Sequence, residues 1–253
     1  MAIDMAKMRA KMEALQNKGS GGGGDGVFWK PQEGSQDIRI VPTPDGDPFK
    51  EYYFHYNLGK NPGFLSPYRM YGVDDPLNSF VRSLFRDGTK ESRKVALDLM
   101  AKQRFFAPVI VRGEEEKGVR IWGFGKKAYE QLLGLILNPE YGDITDVNKG
   151  IDITLKYGKS EGDRFPSTTL TPRRHSSPLC PDNIGGSEKC TEWLDNIPDY
   201  EKEFIKKSVD EIQAMLDEWL SGEVAPESED VVKYDNSGAT TAVDAAFNEL
   251  INA

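Results

Sequence analysis

Arginines and large aromatic rings alternate along two neighbouring segments of the chain, 104–112 and 118–126. Guanidinium groups bind phosphate, and flat rings stack on nucleobases with about 1–3 kcal/mol per base. Successive side chains of a β-strand point to opposite faces. If both segments are strands with their core faces aligned, the second face carries Arg104, Phe106, Arg112, Arg120, Trp122 and Phe124. We interpret this face as a stacking platform for an unpaired polynucleotide.

The opposite face of the same two segments supplies a core. Its apolar residues are Phe105, Ala107, Val109, Val111, Val119 and Ile121. A bulge or a register shift of one residue would exchange the two faces of a strand. A structural interpretation also stays open, in which Trp122 and Phe124 pack under a helix while the arginine stems reach water.

Aromatic and basic residues recur outside these two segments. An aromatic run contains Tyr53, a polar loop contains Tyr68 and Tyr71, and further cations lie near the first strands and in a late extended segment. The candidates among them are Tyr53, Tyr68, Tyr71, Arg39, Arg173 and Arg174. Each cluster alone is typical of a core or a solvated surface. Their recurrence favours single-stranded nucleic acid as the ligand.

The net charge of −9 is distributed unevenly, since residues 1–30, 31–198 and 199–253 carry +2, −1 and −10. The acidic total therefore does not exclude a polyanionic partner for the middle of the chain. No apolar run reaches the roughly 18 residues of a membrane span, so no membrane partner is expected. The N-terminal residues do not resemble a secretory signal. The two cysteines predict no disulfide framework and a reducing cytoplasm.

The chain divides into five predicted regions. Residues 1–17 form a basic amphipathic helix, and glycine-rich residues 18–26 form a flexible linker. Residues 27–198 form the core, residues 199–222 an acidic helix, and residues 223–253 a disordered acidic tail. The tail ends in a short amphipathic motif, whose apolar residues are Val243, Phe247, Leu250 and Ile251.

Within residues 27–198, alternating apolar residues and turn signals predict short strands with interposed helices. The predicted strands cover 27–30, 37–44, 49–59, 104–112, 118–126 and 150–159. Two helices lie within 75–103, separated at Asp87-Gly88, and a third covers 126–137. This pattern predicts an α+β fold: an OB-fold-like Greek-key β-barrel core with inserted helices, a flexible basic N-terminal helix and an acidic C-terminal tail.

The order of several motifs resembles that of a known family. A basic N-terminal helix and a glycine-rich joint precede "IRIVP" at 38–42, "RFFAPVIV" at 104–111 and "FGKKAYEQL" at 124–132. With its acidic C-terminus, the chain resembles the helix-destabilising single-stranded DNA-binding proteins of T-even-type phages over nearly its whole length. The "FGKK" motif followed by a helix, which contains Lys126 and Lys127, is the most specific local match.

The resemblance implies cooperative, sequence-independent binding of single-stranded DNA during phage DNA replication, recombination and repair, in the cytoplasm of the infected host cell. It implies that the N-terminal segment, with Lys7, Arg9 and Lys11, docks on the neighbouring protomer along the DNA. The acidic tail would recruit replication and recombination proteins and compete with DNA. By position, the resemblance places four aromatic residues near DNA: Phe105, Phe106, Trp122 and Phe165.

The family also carries a structural zinc site built from one histidine and three cysteines. The matching segment here, 54–84, contains His55 but no cysteine. A closed zinc site needs about four nitrogen or sulfur ligands. We therefore expect no zinc and no other cofactor, and we expect Tyr68, Tyr71 and nearby apolar residues to stabilise this segment. His175, Cys180 and Cys190 remain an alternative set of metal ligands elsewhere.

Three rival functions remain. An enzyme is disfavoured, because no spaced carboxylate set, nucleophile motif or phosphate loop is evident, and "HSS" at 175–177 has no third partner. A single-stranded RNA-binding protein would use the same rings and cations. A protein-binding adaptor would use the aromatic face as a protein interface.

Overall fold

The computed structural model describes residues 26–59, 62–159 and 166–221. Several predictions lie outside these residues: the N-terminal helix, nearly all of the linker, Phe165 and the acidic tail. The predicted site residues concerned are Lys7, Arg9, Lys11, Phe165, Val243, Phe247, Leu250 and Ile251.

Eight strands form one open sheet. They are β1 (Phe28–Trp29), β2 (Gly34–Ile40), β3 (Lys50–His55), β4 (Phe64–Leu65), β5 (Lys102–Val111), β6 (Arg120–Phe124), β7 (Ile151–Gly158) and β8 (Ser167–Ser176). The order is β1-β6-β5-β2-β7-β8, with β3 pairing β5 and β4 pairing β3. In the described part of the chain, β1 and β8 form separate edges. The predicted α+β class is confirmed, but the sheet does not close, so the predicted barrel is not confirmed.

Seven helices accompany the sheet within the described ranges. They are α1 (Pro67–Tyr71), α2 (Pro76–Asp87), α3 (Lys90–Leu99), α4 (Lys126–Ile136), α5 (Gly186–Asp195), α6 (Tyr200–Glu203) and α7 (Val209–Ser221). The predicted break at Asp87-Gly88 is confirmed, since Gly88 ends α2 with a left-handed φ of 75°. The region 199–222, predicted as one acidic helix, contains two helices in its described part, α6 and α7, because Phe204 is extended.

Apolar residues are buried on both sides of the sheet. The main core lies between the sheet and α4, where Ile38, Val109 and Ile153 pack with Leu132. A second core joins α2 and α3 to α7, and its central residues are Leu77, Leu99 and Ile212. Full burial of such a side chain contributes about 1.5–3 kcal/mol. Helix α7 therefore has a packed apolar face.

The register of β5 and β6 decides which side chains share a face. Phe105 pairs with Phe124, Phe106 with Gly123 and Ala107 with Trp122. Directly opposed residues of an antiparallel pair project from the same face. Trp122 and Phe124 therefore share the core face of β5. The sequence-based alignment of the two strands was wrong by one residue for β6, which is the exchange that a register shift produces.

Candidate nucleic-acid interface

The predicted stacking platform is not open in this structure. Phe105, Trp122 and Phe124 are 3 %, 1 % and 3 % exposed. The Trp122 and Phe124 ring centroids lie 4.3 Å apart, and Phe105 stacks on Tyr129 of α4 at 3.9 Å. This arrangement corrects the expectation of exposed rings and matches the alternative in which they pack under a helix. The register of β6 turns Trp122 and Phe124 inward, whereas Phe105 lies on the core face that the alternation of β5 predicts.

Three of the predicted DNA-binding arginines have structural partners. Arg39 is fully buried, and its Nη1 lies 3.2 Å from Asp152 Oδ1. Arg112 donates from Nη2 to the same Asp152 oxygen at 2.9 Å. Arg120 is 7 % exposed, with Nη2 placed 2.8 Å from Glu114 Oε2. Because a buried charge is costly without its partner, these arginines hold the fold and do not present a free cationic surface.

Two arginines of β8 do lie on the surface. Arg173 pairs with Asp37 on the sheet, and Thr154 donates to the same carboxylate at 2.6 Å. Burial tends to raise the pKa of Asp37, but the hydrogen bonds from Arg173 and Thr154 outweigh it and lower this pKa. Arg174 is exposed next to Arg173. The predicted basic cluster is therefore at the surface, with one of its two arginines already paired.

A cleft opens on the other face of the β5–β6 pair, with a volume of about 110 Å³. The residues that line it are Phe28, Trp29, Lys30, Pro31, Arg104, Phe106, Gly123 and Tyr157. They come from β1 and the residues after it, the start of β5, the middle of β6 and the end of β7. Aromatic rings and two cationic side chains thus meet in one concavity, among them the predicted residues Arg104 and Phe106.

Two glycines of β6 and the following turn shape this cleft. A Cβ at Gly123 would lie 2.8 Å from Cε1 of Phe106, and one at Gly125 would lie 3.6 Å from Nη1 of Arg104. Only a residue without a side chain lets the Phe106 ring lie over the β6 backbone. In the structure, the groups that approach are a ring and a guanidinium of the neighbouring strand.

Phe106 is backed by an aromatic cluster on the side away from the cleft opening. Its ring centroid lies 4.8 Å from that of Phe204 and 5.8 Å from those of Tyr52 and Phe54. Phe28 meets the Phe106 ring edge-on at 6.5 Å. These contacts leave Phe106 only 2 % exposed, so it forms the floor of the cleft. Burial raises the pKa of Tyr52 in this cluster to about 12.

Two further predicted cations begin α4, directly after Gly125. Lys126 and Lys127 are exposed, and Lys126 Nζ lies 3.6 Å from Glu130 Oε1. The first turn of α4 contains no acidic residue, and Gly125 provides no side-chain cap. Lysines at a helix N-terminus oppose the helix dipole, which favours anions there. Lys126 and Lys127 therefore do not stabilise α4 through its dipole. They do place positive charge beside Gly125.

The three predicted tyrosines each have a cation over the ring. Arg69 lies 4.3 Å from the Tyr53 ring centroid, Arg82 lies 4.3 Å from that of Tyr68, and Lys206 lies 5.7 Å from that of Tyr71. Such contacts contribute about 0.5–1 kcal/mol at exposed sites. Tyr71 is 48 % exposed, so at least this ring is accessible from solvent.

His55, the one histidine of the segment compared with the family's zinc site, is 1 % exposed. Its Nδ1 lies 2.9 Å from the Leu99 carbonyl and its Nε2 lies 3.0 Å from Ser66 Oγ. Burial lowers the pKa of His55, which favours the neutral ring with Nδ1 donating to Leu99 and Nε2 accepting from Ser66. Because both nitrogens are engaged and no cysteine is near in sequence, these residues do not fit a zinc site of the family's type.

The two cysteines, from which no disulfide framework was predicted, are joined to each other. Cys180 and Cys190 form a disulfide with a Cα–Cα distance of 5.5 Å. Neither sulfur is then a thiolate that could bind a metal with His175. Within residues 26–59, 62–159 and 166–221, no group of three or more His, Cys, Asp or Glu side chains is arranged to hold a metal ion.

Six lining residues of the cleft were not predicted as site residues: Phe28, Trp29, Lys30, Pro31, Gly123 and Tyr157. In the sequence, Trp29 and Lys30 are an aromatic residue beside a cation near the first strand. The pairing of this strand with β6 is parallel and comes from nearly a hundred residues away. A local pattern does not contain such a contact, so the sequence offered only a weak signal for this wall of the cleft.

No known family profile matches the sequence, and a comparison with curated proteins finds no significant match. None of the described helices is both long enough and apolar enough to span a membrane.

Proposed function

We propose that this chain binds single-stranded DNA without sequence preference, and that the cleft over Phe106 seats a base. The observation that carries the proposal is the meeting of aromatic rings with Arg104 and Lys30 in one solvent-open concavity. Rings provide a stacking surface for any base, and cations follow the phosphates of the strand. The proposed site therefore lies on the face of the β5–β6 pair opposite the one that carries the buried rings of Trp122 and Phe124.

The size and lining of the cleft support one base and its phosphate as the occupant. The open cleft has a volume of about 110 Å³, below the about 150 Å³ of a closed cavity that holds benzene, so one base would enter it in part and lie at its mouth above Phe106. The described lining is apolar on its floor and carries its charge at Arg104 and Lys30. It includes no carboxylate, histidine or thiol, which supports a binding role and not a catalytic one.

Charges at the cleft and beyond it support a DNA strand that continues past the cleft. Within the described residues, the Arg104 guanidinium has no ion pair, and Lys127 lies two residues after Gly125 with an exposed side chain. Tyr71, with Lys206 near its ring, provides a further exposed aromatic surface next to charge. Each phosphate neutralised by such a cation would add to the salt dependence of binding.

The wider biological role rests on the resemblance to the T-even-type phage proteins. We propose an OB-like core that binds cooperatively during phage DNA replication, recombination and repair, in the cytoplasm of the infected cell. Lys7, Arg9 and Lys11 would dock on the neighbouring protomer. Val243, Phe247, Leu250 and Ile251 would bind replication and recombination proteins, and no zinc or other cofactor would be needed.

Two alternatives use the same surface. Single-stranded RNA would stack on the same rings, since stacking does not distinguish the sugars. A protein-binding adaptor would bind through the cleft without a steep salt dependence. A titration with oligo-dT over a range of salt concentrations tests the proposal, and competition between oligo-dT and oligo-U at one salt concentration decides between DNA and RNA. Trp29 lines the cleft but is only 6 % exposed and its ring centroid lies 6.2 Å from that of buried Trp122, so the titration uses a fluorescently labelled oligo-dT as its reporter.

A further inference from the structure

The disulfide joins two elements that differ in how firmly they are held. Cys180 ends a short segment, residues 177–180, which follows β8. Cys190 lies in the middle of α5, ten residues later. Both half-cystines are nearly buried, with 6 % and 9 % exposure, and Cys190 is the more accessible.

Segment 177–180 is anchored to the sheet without the disulfide. Arg39 donates from Nη2 to the Ser177 carbonyl at 2.8 Å, and Arg112 donates from Nη1 to the Leu179 carbonyl at 2.9 Å. The Leu179 N–H donates to the Val147 carbonyl at 2.7 Å. The Leu179 side chain is fully buried. Cys180 therefore keeps its place whether or not its sulfur is bonded.

Helix α5 has fewer anchors of its own. It packs on the sheet through Cys190 and Trp193, which share a small cluster with Val41, Ile110 and Leu179. The chain reaches α5 through Gly185 and Gly186, whose φ angles of 113° and 53° are left-handed. These two glycines reverse the chain and bring Cys190 back beside Cys180. Glycine at both positions also makes this connection easy to deform.

We propose that Cys180 and Cys190 form a reversible thiol–disulfide site, which clasps α5 to segment 177–180 when oxidised and releases it when reduced. The oxidant class is a low-molecular-weight disulfide such as oxidised glutathione. The Cys190 thiolate attacks one of its sulfurs and displaces a thiolate, which leaves a mixed disulfide on Cys190. The Cys180 thiolate then attacks the Cys190 sulfur and displaces the second small thiolate. Two protein thiols are oxidised, one small disulfide is reduced to two thiols, and the two protons pass to the released thiolates.

The Cys180–Cys190 disulfide affects α5 and the residues that follow it. Helix α5 leads through four residues, 196–199, into Tyr200 and Phe204, which pack with Tyr52 and Phe106 behind the cleft. Reduction is therefore expected to loosen α5 first and this connection next, while α4 on the other side of the sheet stays unchanged. The proposal concerns the protein without nucleic acid, so it stands or fails independently of the proposed DNA binding.

The test uses the full wild-type chain, equilibrated with mixtures of reduced and oxidised glutathione and then alkylated. Mass spectrometry is expected to show both cysteines changing together, from doubly alkylated to unmodified. The oxidised form should melt about 5–10 °C above the reduced form, since closing a loop of this length restricts the unfolded chain. Amide exchange in residues 186–195 should be faster in the reduced form, with residues 126–136 as the internal reference.

Cys180→Ser and Cys190→Ser supply the matched controls, because each removes one sulfur and both should abolish the redox dependence of the melting temperature. Four results would overturn the proposal: thiols that stay fully alkylatable in excess oxidised glutathione, a bond between two chains on a non-reducing gel, a disulfide that dithiothreitol leaves intact in the folded protein, or equal melting and exchange for both redox forms of the wild type.

Discussion

The position of a Cβ at Gly123 lies 2.8 Å from Cε1 of Phe106, so the ring that forms the cleft floor occupies the space that any other residue at position 123 would need. Gly123→Ala is therefore expected to displace the Phe106 ring and to lower the free energy of unfolding by about 1–3 kcal/mol, the usual cost of overpacking. Chemical denaturation of the two proteins measures this difference.

Gly134→Ala is the matched control for that substitution. Gly134 lies within α4 and is exposed to solvent. No atom lies within 4 Å of a Cβ added there. Alanine there should stabilise the chain by about 0.5–1 kcal/mol, because glycine weakens a helix interior. Equal effects of the two substitutions would show that the close approach to Phe106 has no energetic consequence.

Asp152 is expected to be essential for stability because it neutralises two arginines. Its carboxylate lies 3.2 Å from Nη1 of Arg39 and 2.9 Å from Nη2 of Arg112. Asp152→Asn would leave two partly or fully buried guanidinium groups without a counter-charge, at a cost of about 3–5 kcal/mol. Urea denaturation should show this loss. Asp74→Asn, which removes the exposed partner of Arg82 at 4.0 Å, should cost less than about 1 kcal/mol.

Stability should fall as the pH drops below about 6.5, the pKa of a free histidine. Burial lowers the pKa of His55, so the unfolded chain binds its proton at a higher pH than the folded chain does. The stabilisation is therefore complete above the unfolded pKa and is lost as the pH falls toward the lower folded value. Denaturation midpoints measured between pH 7.5 and 5 test this slope before most carboxylates titrate.

The chain has two histidines, which supplies the control. His55→Asn retains a donor to the Leu99 carbonyl and should flatten the dependence between pH 7 and 5. His175→Gln changes the exposed histidine of β8 and should leave it intact. The same flattening in both variants would assign the pH dependence to something other than the buried imidazole.

Removal of residues 223–253 is expected to tighten binding of single-stranded DNA at low salt. This segment carries seven acidic residues and one lysine, and in the proposed function it competes with DNA for the cations. Competition between charges is screened as salt rises, so the effect should shrink toward 0.5 M salt. Fluorescence titration of the truncated and full chains measures it, and identical affinities at low salt would rule out the competition.

The sequence predicted most elements because their signals are local. Asp75 and Pro76 predict the start of α2, and Asp87-Gly88 predicts its end. Each signal lies within a few residues of the boundary that it predicts. The relative register of β5 and β6 was not predictable in the same way. It depends on how residues 112–119 turn, and a difference of one residue there moves Trp122 from one face to the other.

The candidate site was predicted only in part, for a related reason. Arg39 and Arg112 look like binding cations in the sequence, but Asp152, which neutralises both, follows Arg112 by 40 residues. Phe106 and Arg104 were predicted, whereas Phe28 and Tyr157 join them only through the pairing of distant strands. Pairing over such separations is a property of the whole fold and leaves no local pattern.

The most direct measurement is the titration of the full chain with oligo-dT across salt concentrations, carried out on the wild type, Arg104→Gln and Arg93→Gln. For the wild type, a plot of log affinity against log salt concentration is expected to be a line of negative slope. Arg104→Gln should bind several-fold more weakly, with a slope reduced by about 0.7 for one lost phosphate contact on a single strand. Arg93→Gln, on the exposed side of α3, should match the wild type. Absence of binding at low salt, or an equal loss in both variants, would contradict the assignment of the cleft as the DNA site.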